Sequence, residues 1–368
     1  QDNSYHVLTV KGNLRDIVID GFTISGGNAN GPTLTSGAAS AQYYHTRGGA
    51  IYINPYISGD APSVVVRNCI FQNNSGSDTG VASAYFANGL SNMSYRLNFD
   101  ACVFKNNFSN TNAQVLYAGA SGFNWIANGE IKNCLFNNNT STSGASCLYL
   151  SASTTNSGNQ TGINVDVINS TFASNTGASG YVVRTDNGSN VRVKNTIIYN
   201  NGSNTPFYIT GTLGGPSLQN TISQGGQISG QNVNPLFNTD FTLQSTSPAI
   251  NSGNNAHLPA NTNYDLAGNA RIVDTTVDMG AFEYDATLSN VNFDLVNAFT
   301  VYPNPTNGPI TIVTDNEIKT VKLISIDGKL LLETQNSNLQ IDNLPKGIYI
   351  LSLELNNGTI SSKKIIKN

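Results

Sequence analysis

Residues 64–74, VVVRNCIFQNN, return in recognisable form six more times along this chain, and each copy makes the same local demands. The copies lie at residues 17–24, 64–71, 97–104, 131–136, 165–172, 191–198 and, more weakly, 218–223. Within each, two apolar residues alternate, a small polar residue follows, and further apolar residues alternate in shifted parity. Period-two alternation on both sides of one parity break describes two short strands joined by a bend. Asn at the bend, as at Asn68, Asn133, Asn169 and Asn195, suits a left-handed backbone and local hydrogen bonding.

Measured along Ile24, Phe71, Phe104, Phe136, Phe172, Ile198 and Ser223, the copies advance by 47, 33, 32, 36, 26 and 25 residues. A repeat of that length signals a solenoid, in which each unit buries its face only against its neighbours. Strand-rich coils of this size, with no helical period, predict a parallel β-helix whose equivalent residues stack in ladders about 4.8 Å apart. Cys69, Cys102 and Cys134 then share one inward position and read as unpaired core thiols, a Cys69–Cys102 bridge being the lesser alternative. Asp20, Arg67, Asp100 and Lys132 share one outward position and read as alternating charges that hold register. Between the copies runs a third strand class, around Ile51, Tyr85, Leu116, Leu148, Val182 and Tyr208, so each coil should carry three strands wound right-handed. On this strand Tyr52, Tyr85, Tyr117 and Tyr149 recur at 33, 32 and 32 residues. With Ile51, Ile53, Leu148 and Leu150 pointing inward, the four tyrosines would form an outward row suited to a sugar or protein ligand, or else to stacking between coils.

Composition supports the repeat. Only 11% of the 368 residues are charged, against about 25% in an ordinary globular protein, and small turn-forming residues fill the difference. A net charge of −4 argues against nucleic acid as the main partner. His6, His45 and His257 lie far apart, the cysteines lack metal-knuckle spacing, and neither a metal nor a cofactor is expected.

Residues 1–10 enter the repeat almost at once, which leads to the expectation that further coils, a cap and a signal peptide lie upstream of Gln1. Residues 26–44 form a small-residue insertion, and Trp125 sits in a turn-like insertion as a local packing anchor. From about residue 227 to 284 the repeat dissolves into turn-rich bursts, predicted to be an irregular C-terminal cap. Asp265, Asp274 and Asp278 there lack the alternation of a tight calcium loop and read as turn caps.

The VxIxNCxFxNN coils, the GGAIYI strand and the closing SPAINSG, DLAGNARIV and VDMGAFEY resemble the right-handed parallel β-helix surface proteins of the pectate-lyase-like superfamily, especially those ending in a "choice-of-anchor" module. That resemblance covers residues 1–284 and implies architecture more than activity. Enzymatic members cleave acidic polysaccharides with clustered carboxylates or a calcium site. Here Asp60, Asp78, Asp100, Glu130, Asp166 and Asp186 are mostly dispersed. Glu130 and Asp166 align on adjacent coils with Arg192 after them, a trio that reads as a charge ladder and leaves no catalytic centre evident.

Residues 285–299 read as a linker. Beyond them 7 of the 18 Lys and Arg residues fall in less than a fifth of the chain, and seven short alternating strands separated by NPTNG, DGK, NLPKG and NNG turns predict a small Ig-like antiparallel β-sandwich. Residues 300–368 resemble the type A C-terminal sorting domain of the type IX secretion system, on Tyr302, Pro303, Asn304, Pro305 and Gly308, then Gly328 and Lys329, then Leu344, Pro345, Lys346, Gly347, Ile348 and Tyr349, and finally Lys363, Lys364, Ile365, Ile366 and Lys367. Ser325 stands where that family often has Asp. Physically, the two prolines stiffen the entrance, Gly347 permits a tight turn, and the terminal strand offers an edge to a partner.

The fold class expected is therefore all-β, a right-handed parallel β-helix followed by a small sandwich. The resemblance implies cargo that docks on an outer-membrane shuttle barrel, crosses through the translocon, and ends secreted or at the cell surface. For the β-helix two readings stand: a non-catalytic adhesin or glycan-binding surface, and a polysaccharide lyase or hydrolase.

Overall fold

The computed structural model describes residues 5–11, 16–34, 43–54, 63–86, 94–119, 126–152, 162–186, 188–210, 214–284, 299–314, 316–356 and 360–368. It is nearly all β and divides into two compact units, Gln1–Tyr284 and Asp285–Asn368.

The bends come first. Asn68, Ala101, Asn133, Asn169, Asn195 and Asn220 all have φ between 46° and 53°, and Gly21 has φ 78°. The earlier ones turn the chain between a longer strand and a shorter one: Ser63–Arg67 passes to Ile70–Gln72, Ser94–Asp100 to Val103–Lys105, and Gly162–Ile168 to Thr171–Ala173, whereas Asn195 and Asn220 lie within the continuous strands Ser189–Tyr199 and Gly214–Ser223. Strands pair in parallel with their equivalents one coil away, so Val66, Phe99, Ile131, Val167 and Val193 fall in one ladder. The third strands, from Leu8–Lys11 to Phe207–Ile209, form a separate parallel sheet of seven. The chain thus winds into stacked coils.

Among the described residues, five coils carry one more strand than the sequence pattern suggested. A second left-handed residue follows the shorter strand, at Asn73, Asn106, Asn138, Ser174 and Asn200, with φ of 54° to 57°. Two-residue strands such as Ser75–Gly76 and Phe108–Ser109 come next and pair into a five-stranded parallel sheet. Between the two lies a buried asparagine. Asn74, Asn107, Asn139, Asn175 and Asn201 form a ladder in which each Oδ1 after the first accepts from the backbone N–H and side-chain amide of the preceding member, at 2.9–3.1 Å. Their Nδ2 groups also donate to carbonyls of the coil before, as from Asn107 to Phe71 O at 2.9 Å. A buried amide is tolerated only when paired, and here every member is. The doubled Asn of the repeat therefore divides its labour: the first turns the backbone and the second ties coils together.

Inside the coils Phe71, Phe104, Phe136 and Phe172 stack with centroids 5.0, 4.1 and 4.6 Å apart, all fully buried. Cys69, Cys102 and Cys134 are buried and unpaired, as is Cys147. Arg67 meets Asp20 at 2.9 Å and Lys132 meets Asp100 at 3.4 Å on the outward ladder. Of the 26–44 insertion, Thr33–Leu34 and Tyr43–Tyr44 pair as an antiparallel ribbon. Trp125 lies outside the described residues.

The segment 231–284 has no long element and straps back along the bends. Asp265 Oδ1 accepts the Ala267 and Asn269 N–H groups, Asp278 accepts those of Asn251 and Tyr284, and Asp274 accepts the Asn251 amide. Asp265 thus caps its own turn, whereas Asp274 and Asp278 tie the strap to Asn251 across 23 and 27 residues. At the centre of the strap Arg271, 1% exposed, meets Glu283 at 3.2 Å and donates to the carbonyls of Ala281 and Gly280.

The second unit is two antiparallel sheets around one core. Thr300–Tyr302, Pro309–Val313 and Asn338–Gln340 form one; Leu330–Thr334, Ile318–Ser325, Gly347–Leu355 and Ile360–Lys367 form the other. Ile310, Ile312 and Leu339 of the first pack with Val321, Leu323, Leu351, Leu353 and Ile365 of the second. Phe299, expected at the end of the linker, is 1% exposed and belongs to this core; the rest of the linker lies outside the described residues.

Candidate functional site

The four tyrosines do not form one row. Register places Tyr52 beside Ser83, Ser83 beside Leu116, Leu116 beside Tyr149, Tyr149 beside Arg184 and Arg184 beside Tyr208. Tyr85 pairs with Ala118, two places further along its strand, and Tyr117 pairs with Ala84 and Leu150, one place out of phase. Nearly equal sequence spacing misled because coils differ in length between the loops, and ladder membership follows hydrogen-bonded register. Tyr52 is also 1% exposed, its ring stacked on His6 at 4.8 Å, so it is no open platform. The side chains of Tyr85 and Tyr117 lie outside the described residues.

Tyr149 does stand in an aromatic patch, with partners from the next two coils. The Arg184 guanidinium lies 4.4 Å from the Tyr149 ring centroid and 5.7 Å from that of Tyr208, and Tyr208 stacks on Tyr181 at 4.7 Å. Asp186 ties the patch together by accepting from the Tyr149 hydroxyl, from Arg184 Nε at 3.2 Å and from Thr210. Burial, helped by the bond to Asp186, pushes the Tyr149 hydroxyl up to about 12. Burial works against the Asp186 carboxylate, but bonds from Thr210, Tyr149 and Arg184 outweigh it and hold the group below its usual range. At neutral pH the patch is a neutral phenol, a carboxylate and a guanidinium, locked in place and overall uncharged. Tyr208, 37% exposed, and Ile209, 44% exposed, are its open face. Arg184, Tyr181 and Tyr208 were missed because VVRT and FYIT follow coils of unequal length; aligning them on Tyr149 by inward apolar parity is the signal that finds them.

A second constellation lies on the outward face of the sheet before the bends. Glu130 pairs with Asp166 and Asp166 with Arg192, while Arg96, Asn128 and Asn164 line the neighbouring ladder. Together they border a groove of about 310 Å³. Arg192 holds Asp166 in a two-point bond at 2.6 and 2.8 Å, and Lys132 sits 3.6 Å from Glu130. The charge ladder is formed, with two carboxylates side by side and Arg192 after them, and Arg96 is the member that sequence reasoning did not place. Both carboxylates are engaged by cations.

In the second unit the structure brings together motif residues from opposite ends. Asn304 Nδ2 donates to Lys364 O at 2.6 Å and its Oδ1 accepts from Ile366 N at 2.9 Å; Thr306 N donates to Ile366 O, and Asn368 N to Thr306 O. Lys367 Nζ donates to Asn307 O at 3.0 Å. The terminal strand is a sheet edge, as expected, but residues 304–306 already occupy that edge from Lys364 to Asn368. The bonds Tyr302–Pro303 and Asn304–Pro305 are both cis. A Cβ at Gly308 would stand 1.9 Å from Asp342 Oδ1 and would have to displace that carboxylate, while Gly328 is favoured by its φ of 85°. Gly347 does not supply the tight turn expected of it: it opens a strand, with unfilled space where a Cβ would stand and no left-handed φ. Tyr349 donates its hydroxyl to Pro345 O at 2.7 Å. Ser325, replacing the family's frequent Asp, donates to Asp327 and to Lys329 O and so closes the same turn. Ile365 is buried, whereas Leu344, Lys329 and Lys363 lie nearer the surface.

Residues 300–368 match the family model of the secretion system C-terminal sorting domain. That domain implies type IX secretion cargo, an interaction with the type IX secretion system, and export to the cell surface or beyond it. No helix among the described residues is long and apolar enough to cross a membrane. An ulvan lyase of Nonlabens ulvanivorans is 31% identical over 97 residues, 25% of this chain and 18% of the lyase. This chain thus spans under a fifth of that relative's length.

Proposed function

We propose that residues 1–284 form a right-handed parallel β-helix that the sorting domain delivers to the cell surface, where it binds glycans without cleaving them. Delivery would proceed by docking of the sorting domain on an outer-membrane shuttle barrel and passage through the translocon. The observation that carries the binding reading is the open patch of Tyr149, Arg184, Tyr181 and Tyr208 on an exported chain. Aromatic faces stack on sugar rings, and a guanidinium held between them adds donors at the rim. The engaged state of Glu130 and Asp166 supports the non-catalytic part, because an acid or base must reach its substrate proton.

The test has two arms. Fusion of residues 285–368 to a periplasmic fluorescent protein in a type IX-secreting bacterium should give surface delivery that disappears without the translocon; retention despite an intact translocon overturns the delivery reading. Glycan-array binding by the full chain should fall at least about tenfold in Tyr149→Ala plus Tyr208→Ala. Unchanged binding removes the patch from the mechanism. The similarity to an ulvan lyase favours a second reading, a polysaccharide lyase on the same scaffold. Release of unsaturated uronate products from ulvan, pectin or alginate, abolished by Asp166→Asn, would establish that reading over the first.

A further inference from the structure

The strap formed by residues 250–284 follows the column of bends in a regular way. Four of the five bend asparagines donate their amides to strap carbonyls: Asn220 to Ser252, Asn195 to Asn254, Asn169 to Asp278 and Asn133 to Tyr264, at 3.0–3.3 Å. Beside the bends runs an outward ladder, Ile70, Val103, Leu135, Thr171, Ile197 and Ile222. Its last four members are 0–6% exposed beneath the strap, where Ile197 and Ile222 pack with Ala249 and Met279. Ile70 and Val103 remain half-exposed. Where the strap turns away at residues 261–268, these two rungs open into a groove of about 770 Å³.

That groove has the makings of a site. Ile70, Val103, Leu266 and Phe282 supply apolar wall, and Tyr264, 64% exposed, stands in its lining. Two polar atoms of the lining are buried with no hydrogen-bond partner among the described residues: Asn133 Oδ1, on a residue 4% exposed, and Thr262 Oγ1. Buried polar atoms in folded chains are nearly always paired, so two in one groove ask for a ligand that brings hydrogen bonds. A groove of this size lies within the range that holds small ligands.

We propose that this groove binds a neutral saccharide. A sugar ring presents C–H faces to apolar walls and hydroxyls along its edge. A hydroxyl can donate to the amide oxygen of Asn133 and either donate to or accept from Thr262. Charge selects the class: among the described residues the lining holds the carboxylates of Asp100 and Asp265 and no Lys, Arg or His of its own, and the nearby Lys132 is already paired with Asp100 at 3.4 Å, so the wall offers an anionic sugar no uncommitted cation. A peptide that continued the strap would lose its anchors, because the next bend is Ala101 and the Asn68 amide already donates to Asp20 at 2.8 Å. This site lies on the bends, apart from the Tyr149 patch on the third strands, and stands or falls separately.

The experiment is saturation-transfer NMR and calorimetry on the full chain with cellotriose, xylotriose and mannotriose, and with trigalacturonate as the anionic comparison. At least one neutral trisaccharide should bind, more tightly than trigalacturonate. Val103→Trp, which fills the groove, and Tyr264→Ala, which removes an exposed ring, should each weaken it by about tenfold or more at unchanged melting temperature. Tyr149→Ala plus Tyr208→Ala should leave it intact. If Val103→Trp melts early, Tyr264→Ala and Thr262→Val decide the question. Absence of neutral binding, binding indifferent to Tyr264→Ala, preference for trigalacturonate, or competition by an apolar peptide alone would overturn the proposal.

Discussion

The coil unit and the C-terminal unit are both all-β, yet they hold their chains in opposite ways. Among the described residues of the coil unit, all strands but the Thr33–Leu34 and Tyr43–Tyr44 ribbon pair in parallel with one from a neighbouring coil, and polar groups are buried in quantity: a continuous asparagine ladder runs beside a phenylalanine stack. The C-terminal unit pairs its strands antiparallel and keeps an apolar core of alternating Ile, Leu and Val. Parallel coils repeat one environment, so a side chain that satisfies its like one coil away can be used again and again. An antiparallel sandwich has no such translation, and its core excludes amides.

Matched truncations are the largest way to break that contrast. Phe104→Ala opens a gap in the stack and should cost the coil unit about 3–5 kcal/mol, while Leu351→Ala should cost the C-terminal unit about 2–5 kcal/mol. Chemical unfolding of the full chain, followed by hydrogen exchange in each unit, should show each variant weakening its own unit only. A shared loss would mean that the two units unfold as one.

Asn139→Ala sharpens the comparison further. It removes the acceptor of two Asn107 donors and the donor to Phe104 O and Asn175 Oδ1, and each buried group left unpaired costs about 1–3 kcal/mol. Asn139→Asp tests the directionality: it keeps the acceptor but loses the donor, and should destabilise as well.

The strap adds a pH dependence of its own. Burial outweighs the attraction of Arg271 and pushes Glu283 from an ordinary 4.5 up to about 8. Between those values the folded chain holds a proton that the unfolded chain has released. The corresponding stability is fully present below about 4.5 and is lost as pH rises through about 8. Denaturant midpoints of the coil unit should fall over that window, and Glu283→Gln should flatten the slope.

The smallest effect belongs to the surface ladder. Arg67 and Asp20 are 52% and 41% exposed, so Arg67→Ala should change stability by at most about 1 kcal/mol despite a 2.9 Å contact. A larger loss would mean that charge pairing, rather than the Asn and Phe columns, holds coil register.

How much was legible follows the same divide. The period, the bend at Asn68 and its equivalents, the free cysteines and the seven strands of the C-terminal unit could all be read from alternation and turn residues, because those signals are local. The motif residues of the sorting domain were legible as a set. Their meeting was not: Asn304 reaches Lys364 and Ile366 only after the last strand has folded back across sixty residues.

Sequence alone determined that this chain winds, where it bends, and where the coils give way to a sandwich, since strand alternation and left-handed Asn positions act within a few residues. Tertiary structure alone decided which surface residues share a ladder. Register is set by inter-coil hydrogen bonds while the loops between them vary in length. Equal spacing therefore failed to align Tyr52, Tyr85, Tyr117 and Tyr149, and unequal spacing brought Tyr149, Arg184 and Tyr208 side by side.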